Sequence, residues 1–578
     1  MNTMRKCNSG PRHISFVAAL LAFLFVGSPL FAQNSSIAER LPTNTFLYME
    51  WRGSGFVTDA EKTNHLIQLM EDPAVAPAWF ALATAMQKSM AKQGPNGTAP
   101  NAASLLSLAS NSMVFGVSEN PDYAKAADKK PSPVGIFIVY DAKGKKESIE
   151  QMKALHRSSL KAGNKITHYQ FGETTVEEEI SGEDHNYTAL DGDYYIYANL
   201  KSQIEDLITR FRSDAKPSKS VADSPEYKES RKYVAPGSVF EFYARMPNYK
   251  QWIPDDPKSA PIVKAMDNLH LDRIHSFAMG VSFKGGATRL SGATLGDTSA
   301  GSPFDFTGES TANFALQPAL GESMDFSVSR LDWAALYQVI RGAVEGNLPP
   351  QQAAGLGAME GMAQGYLGMS IPDALKLFSG ETATTLAVGD DGSTQQMFIL
   401  TVQKPDQVLR MLRAVIGTMI ATEDTSGSTT FLDLTYPYKD PATGTQRRGF
   451  YYVAVGPKAI VIGKRKAKVR AMMDALNASG DKPAATGIFA DKEYLEMRSV
   501  LPEKLSALGV TDFRALPLDK LVANFVTQMQ SGAGDVKGAP DLSWLKGING
   551  DLIARHIHMS VRGTWKDAHG VYFDWYLQ

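Results

Sequence analysis

Cysteine occurs once, at Cys7, and no residue after it carries a thiol. Disulfides, thiolate zinc sites, iron–sulfur ligation and a cysteine nucleophile are therefore excluded from the rest of the chain. A charge excess is missing too. The 59 Lys and Arg face 61 Asp and Glu, a net charge of −2, so the balance gives no pull toward nucleic acid or an anionic membrane. Beyond Gly27 no apolar run is long enough to cross a bilayer as a helix. There is no Gly-x-Ser-x-Gly elbow, no His-Glu-x-x-His helix and no Walker loop. No cofactor is expected from such a sequence.

What is present begins with a leader. Arg5, Lys6, Arg12 and His13 precede an apolar run from Ile14 to Gly27, and Ala32 follows Pro29 at a small-residue cleavage position. Residues 1–32 read as a signal peptide, which makes the expected location periplasmic or extracellular in a bacterium. Retention of the leader as an anchor is the competing reading. Cys7 lies ahead of the apolar run, so it is not placed to carry the lipid of a lipoprotein.

The remainder is duplicated. "YYIYANLKSQIEDLITRFRSDAKPSKSVADSPEYKESRKY" from Tyr194 parallels "AIVIGKRKAKVRAMMDALNASGDKPAATGIFADKEYLEMRSV" from Ala459. Tyr197 stands over Ile462, Ile204 over Val469, Leu207 over Met472 and Phe211 over Leu476, all at an offset of 265. Tyr227 then matches Tyr494 and Arg231 matches Arg498, at an offset of 267. The parallel extends upstream through a strand–loop–helix segment, "GIFIVYDAKGKKESIEQMKALHRSSL" over "QMFILTVQKPDQVLRMLRAVIGTM", and before it "LLSLASNSMVFGVSEN" over "ALKLFSGETATTLAVGDD". Downstream it is read with Met279 over Met559 and Val281 over Val561. Two tandem units of about 260 residues follow, 41–297 and 316–578, joined by a Gly/Ser-rich linker at 298–315.

Within each unit an entry strand is followed by helices, two strands, a helix and further strands. "YTALDGDYYIYAN" is a hairpin turning at Asp191-Gly192, and Gly456-Pro457 marks its counterpart. In "TFLYMEWR", Leu47, Met49 and Trp51 are expected to face the core, with Glu50 and Arg52 outward. Helices are expected from Asn64 to Lys92, and from Leu331 to Leu367 with a break at Pro349-Pro350. The predicted class is α+β: two tandem homologous units, each with its own antiparallel sheet covered by helices on one face.

"LPTNTFLYMEWRG" after a leader, "LLSLASNSMVFGV", "ALKLFSGETATTLAV" and "ADSPEYKESRKYVAPGS" together resemble a bacterial envelope family known as domain of unknown function 3352. Asn44 stands where that family more often has Asp, and the second unit opens with "LQPALGES" instead of Leu-Pro-x-x-Thr. The resemblance implies an exported repeat architecture and brings no catalytic residue with it.

Three stretches invite a chemical reading. His556 and His558 have a spacing that, on a strand, turns both imidazoles to one side where they could share an ion; the alternative is two histidines on an amphipathic terminal strand. No metal is assigned. "GLGAMEGMAQGYLGM" carries Gly357, Gly361 and Gly365 at four-residue spacing, with Met359, Met362 and Met369. It reads either as a helix packed closely on a neighbour or as a groove for an apolar ligand or partner. "GKRKAKVR", Gly463 to Arg470, reads as the solvated start of an amphipathic helix, and Glu177-Glu178-Glu179 as a solvated turn.

No catalytic residue emerges. The expected function is that of a non-enzymatic exported binding or envelope-assembly factor, whose partner is an envelope protein or a lipid-like ligand and not nucleic acid. An envelope-polymer hydrolase with carboxylates that the sequence does not single out, and a purely structural envelope component, are the alternatives.

Overall fold

The computed structural model describes residues 37–53, 61–75, 110–123, 132–158, 164–212, 219–246, 270–299, 302–348, 350–378, 380–388, 394–439, 445–478, 487–520 and 550–578, with a few single positions between them. The leader at 1–32 lies outside this set, as does most of the helical stretch expected up to Lys92.

The first half of the chain runs β1 (Thr45–Trp51), α1 (His65–Glu71), β2 (Met113–Glu119), β3 (Val134–Asp141), α2 (Lys146–Ser158), β4 (Lys165–Phe171), β5 (Thr174–Ser181), β6 (Asp184–Asp191), β7 (Tyr194–Ala198), α3 (Lys201–Arg212), α4 (Pro225–Arg231), β8 (Phe240–Arg245), β9 (Ile274–Lys284) and β10 (Ala287–Gly296). The second half begins β11 (Asp325–Leu331), α5 (Trp333–Asn347), α6 (Pro350–Leu367), α7 (Ile371–Lys376), β12 (Gly380–Val388), β13 (Thr394–Thr401) and α8 (Pro405–Ile416). It continues β14 (Ile420–Ser426), β15 (Thr429–Lys439), β16 (Gln446–Val455), β17 (Ala459–Gly463), α9 (Lys466–Ala478), α10 (Lys492–Ser499), β18 (Ala507–Asp512), α11 (Gly550–His556), β19 (Met559–Asp567) and β20 (Gly570–Leu577).

Pairing follows one plan twice. Antiparallel ladders connect β4-β5-β6-β7-β3-β2-β1-β8-β9 in the first half. The same order, β14-β15-β16-β17-β13-β12-β11-β18-β19-β20, recurs in the second. The expected hairpins form: β6 and β7 meet through Asp191↔Tyr194, with Gly192 at φ 58°, a left-handed conformation that glycine adopts without strain.

The expectation of two tandem units with separate sheets is corrected. All the strands belong to one 20-stranded sheet, in which β10 pairs with both β9 and β20. Contacts also divide the chain into two interleaved units. Unit 1 comprises Met1–Pro247, Ser276–Gly292 and Leu518–Ile557; unit 2 comprises Asn248–His275, Ala293–Pro517 and His558–Gln578. Of the described residues between β18 and β19, 518–520 and 550–557 thus count with the first unit, and of those between β8 and β9, 270–273 count with the second. In unit 1 this shows as α11 packing on α1.

Helices cover both sheet faces, not one. In unit 1, α3 presents Ile204, Leu207, Ile208 and Phe211 at helical spacing to a core that includes Phe137, Ile196 and Tyr243. On the opposite face Ile149 of α2 packs with Trp51, Tyr140 and Val239. Unit 2 repeats the arrangement, with Val469, Met472, Met473 and Leu476 of α9 on one core and Val408 of α8 on the other. Burying a side chain of this size contributes about 1.5–3 kcal/mol.

Strand pairing also corrects one register of the repeat. Gly280 lies opposite Glu241, and Gly563 opposite Leu508, the position equivalent to Glu241 at the offset of 267. Gly280 therefore corresponds to Gly563, and Ser276, not Met279, to Met559. Ser276 and Met559 are both buried, whereas Met279 is only partly so.

Candidate functional site

α5 and α6 meet the break expected at Pro349-Pro350. Asp332 caps α5 by accepting from the amides of Ala334 and Ala335 at 2.9 and 3.0 Å. The sole charged side chain of α6 is Glu360, and it is committed to the hairpin. Arg341 Nε donates to it at 2.6 Å, the Tyr337 hydroxyl donates to the same oxygen, and Arg341 also reaches Glu345 at 3.0 Å. Hydrogen bonds from Arg341 and then Tyr337 hold the Glu360 carboxyl below its ordinary range.

This leaves α6 attached by a narrow face. Leu356, Glu360, Ala363 and Leu367, spaced by three or four residues, are partly buried. On another face Met359, Met362 and Tyr366 are 62, 61 and 77% exposed. Gly357, Gly361 and Gly365 form a further stripe, and a Cβ built on any of them would meet no atom within 4 Å. The glycines are therefore not seats for a neighbouring helix among the described residues. Ile340 and Val344 of α5 and Val415 of α8 are exposed as well, and Met369 is packed against the core beneath α8. An apolar helix normally buries its whole circumference, and here most of its described side chains are exposed.

A second cluster lies inside unit 1, where the sequence pattern suggested an outward face. β1 buries Tyr48 and Glu50 on one side and Trp51 on the other, while Leu47 and Met49 are only partly covered, so of the expected inward set Trp51 is buried and the outward placing of Glu50 is corrected. Glu50 stands directly opposite Glu241 of β8; the two residues are 3 and 2% exposed. Arg52 bridges them, with Nε 3.1 Å from Glu50 Oε1 and Nη2 3.0 Å from Glu241 Oε1. Arg231 Nη2 approaches the same Glu241 oxygen at 2.8 Å, while its Nη1 donates to the Val234 carbonyl at 2.9 Å.

α4 delivers Arg231. Ser224 caps that helix by accepting from the Tyr227 amide at 3.1 Å, Pro225 opens its first turn, and Tyr227 and Arg231 fall four residues apart on one face. Tyr227 meets Tyr243 edge-on at 5.2 Å, and Tyr243 meets Tyr48 at 5.8 Å. Burial pushes the Glu50 carboxyl up to about 7; Arg52 pulls it back and Glu241 raises it again.

Sequence reasoning missed this cluster because an acidic residue in an alternating strand reads as solvent-facing. The repeat held the missing signal. Pairing places Val328 of β11 opposite Leu508 of β18 at the equivalent positions, and both are fully buried. Arg498, the counterpart of Arg231, donates instead to the carbonyls of Pro502 and Glu503, each at 2.9 Å.

The other singled-out residues are dispersed. His556 ends α11 and its Nε2 lies 2.9 Å from Asp72 Oδ2 in unit 1; His558 belongs to unit 2, with Nδ1 2.9 Å from Glu493 Oε1. They do not share a strand, so the periodicity that would aim both imidazoles at one ion does not apply. Among the described residues no three His, Cys, Asp or Glu side chains gather to hold a metal. In the basic run, Lys466 pairs with Asp433 at 2.7 Å, and Arg470 pairs with Asp424 at 2.8 Å while covering the Phe431 ring. The acidic run lies within β5, not at a turn: Glu177 is served by Arg157 and Lys153, and Glu178 by His185 at 2.7 Å.

No helix among the described residues is long and apolar enough to cross a membrane. No protein-family model matches this chain, nor does any curated protein or solved structure.

Proposed function

We propose that the chain is an exported, non-enzymatic binding or assembly factor of the bacterial envelope, and that α6 receives an apolar segment of a partner protein. The observation that supports this reading is the bare circumference of α6. Met359, Met362 and Tyr366 form an i, i+3, i+7 stripe of adaptable apolar side chains, and Glu360 is tied back by Arg341. The leader read at 1–32 and the resemblance to the envelope family support the same reading, with a partner outside the cytoplasm.

The test is site-specific photo-crosslinking from position 362 of the full chain in envelope preparations, repeated in a Met359→Lys, Tyr366→Lys background. A discrete protein adduct that the two lysines abolish is the expected result. A lipid adduct would replace the protein partner with a lipid-like ligand. A self-adduct would identify the partner as a second copy, and no adduct, or one indifferent to the lysines, overturns the reading. Because residues 359 and 366 are exposed, each substitution should change stability by no more than about 0.5 kcal/mol, so lost capture is not lost folding.

A further inference from the structure

Two carboxylates lie side by side in the interior of unit 1, and their counter-charges are unevenly shared. Guanidinium contacts among the described residues include two on Glu241 Oε1 and one on Glu50 Oε1. Among the described residues, Oε2 of Glu50 is buried with no hydrogen-bond partner. An ionised carboxylate in that position loses hydration that the protein does not replace, whereas a protonated one loses much less.

The groups facing Glu50 are few. Its own strand brings Arg52 and Tyr48, β8 brings Glu241 and Tyr243, and α4 brings Arg231 and Tyr227. On β2 the residue opposite Glu50 is Val114, and on β9 the residue opposite Glu241 is Gly280. Arg231 is divided between Glu241 and the Val234 carbonyl, so among the described residues Arg52 is the one cation in contact with Glu50.

We infer that the buried Glu50 carboxyl, beside Glu241 and with one oxygen unpartnered among the described residues, is a proton-binding site that makes the stability of unit 1 respond to pH. The equivalent row in unit 2, Val328 beside Leu508, has nothing to titrate and serves as an internal control. Burial supports the same direction, since it raises the Glu50 carboxyl from 4.5 to about 7. The sign follows from linkage. At low pH both folded and unfolded chains carry the proton. As pH rises above 4.5 the unfolded chain releases it while the folded chain keeps it until about 7, so stability falls across that window and is then constant. Unit 1 is thus strengthened by mild acid, opposite in sign to a carboxylate such as Asp191, whose hydrogen bonds from Arg212 and Thr174 outweigh burial and lower its value.

Hydrogen exchange on the full chain, corrected for intrinsic rates, tests this between about pH 5.5 and 8.5. The opening constant of β1 and β8 peptides should rise roughly 30-fold in the wild type beyond any rise in Glu50→Gln, which mimics the protonated acid. Peptides from β11 and β18 should show no difference between the two proteins. Equal slopes for wild type and variant at β1 and β8 overturn the inference. Should the variant fail to fold, infrared spectroscopy of the wild type decides the matter. A protonated-carboxyl band that persists at about pH 6 and is gone by about pH 8.5 supports the site, and its absence at about pH 6 overturns it.

Discussion

Replacing Arg52 with Met should separate the two repeats energetically. Methionine keeps most of the apolar stem and removes only the charge and its hydrogen bonds. In unit 1 the loss strands Glu50 without its one cation and leaves Glu241 with Arg231 alone. Both residues are almost wholly buried, and the Arg52 side chain itself is 13% exposed, so little solvent screening applies. Breaking one side of such a buried network costs about 3–5 kcal/mol at about pH 8, above the raised Glu50 value. At about pH 5 Glu50 is protonated, and the remaining loss is that of hydrogen bonds to Glu241, about 1–2 kcal/mol. Arg330 is the equivalent residue of the second repeat, where the neighbours are Val328 and Leu508, so Arg330→Met should cost less than about 1 kcal/mol at either pH. The two units need not unfold together, so peptide-resolved hydrogen exchange of β1 and β8 against β11 and β18 is the suitable assay. Equal losses in the two variants, or a loss at Arg52 that ignores pH, would refute the reasoning.

Gly361→Ala and Gly365→Ala should each stabilise α6 by about 0.5–1 kcal/mol, since a Cβ meets nothing at either site; thermal denaturation followed by helical ellipticity checks it, and a loss would mean that another surface covers this face. Gly116→Ala should act in the opposite direction. Its Cβ would fall 2.0 Å from Cζ of the fully buried Phe137 ring, an overpacking worth about 1–3 kcal/mol, measurable as lost protection in β2 and β3.

The legible parts of this fold were those with a periodic side-chain signature. Ile204, Leu207 and Phe211 announced α3 and matched α9 residue for residue, because an amphipathic helix must repeat its apolar face to bury it. Asp191-Gly192 announced a hairpin because few other pairs accept its backbone. Illegible were features written in backbone hydrogen bonds. The pairing of β10 with both β9 and β20 leaves no mark on side-chain pattern, so two sheets were expected where one forms. The register of β9 slipped by three because Met279 and Met559 look alike, although only Met559 lies on the buried face. Sequence also singled out α6 without saying whether its apolar surface was covered. A helix with a single charge reads the same in a core as on a surface, and the exposure of Met359, Met362 and Tyr366 with the open space around Gly357, Gly361 and Gly365 distinguishes them.

The Glu50 row shows most directly why a polar core residue defeats pattern reading. Tyr48 and Glu50 of β1 occupy the places of Phe326 and Val328 in β11, and Tyr243 and Glu241 of β8 those of Val510 and Leu508 in β18. One backbone plan therefore accepts either an ionic or an apolar pair at the same point, and packing alone does not require the charges. A buried ion pair is seldom the more stable choice, because desolvation offsets most of its attraction. Two guanidiniums are needed to hold the carboxylates, and each comes from a position that is also arginine in the other repeat: Arg52 matches Arg330, and Arg231 matches Arg498. The arginines are thus common to both halves, and the acids are what unit 1 has in addition. Whatever protonates Glu50 therefore acts on unit 1, and at the equivalent place in the other repeat Val328 and Leu508 offer it nothing to act on.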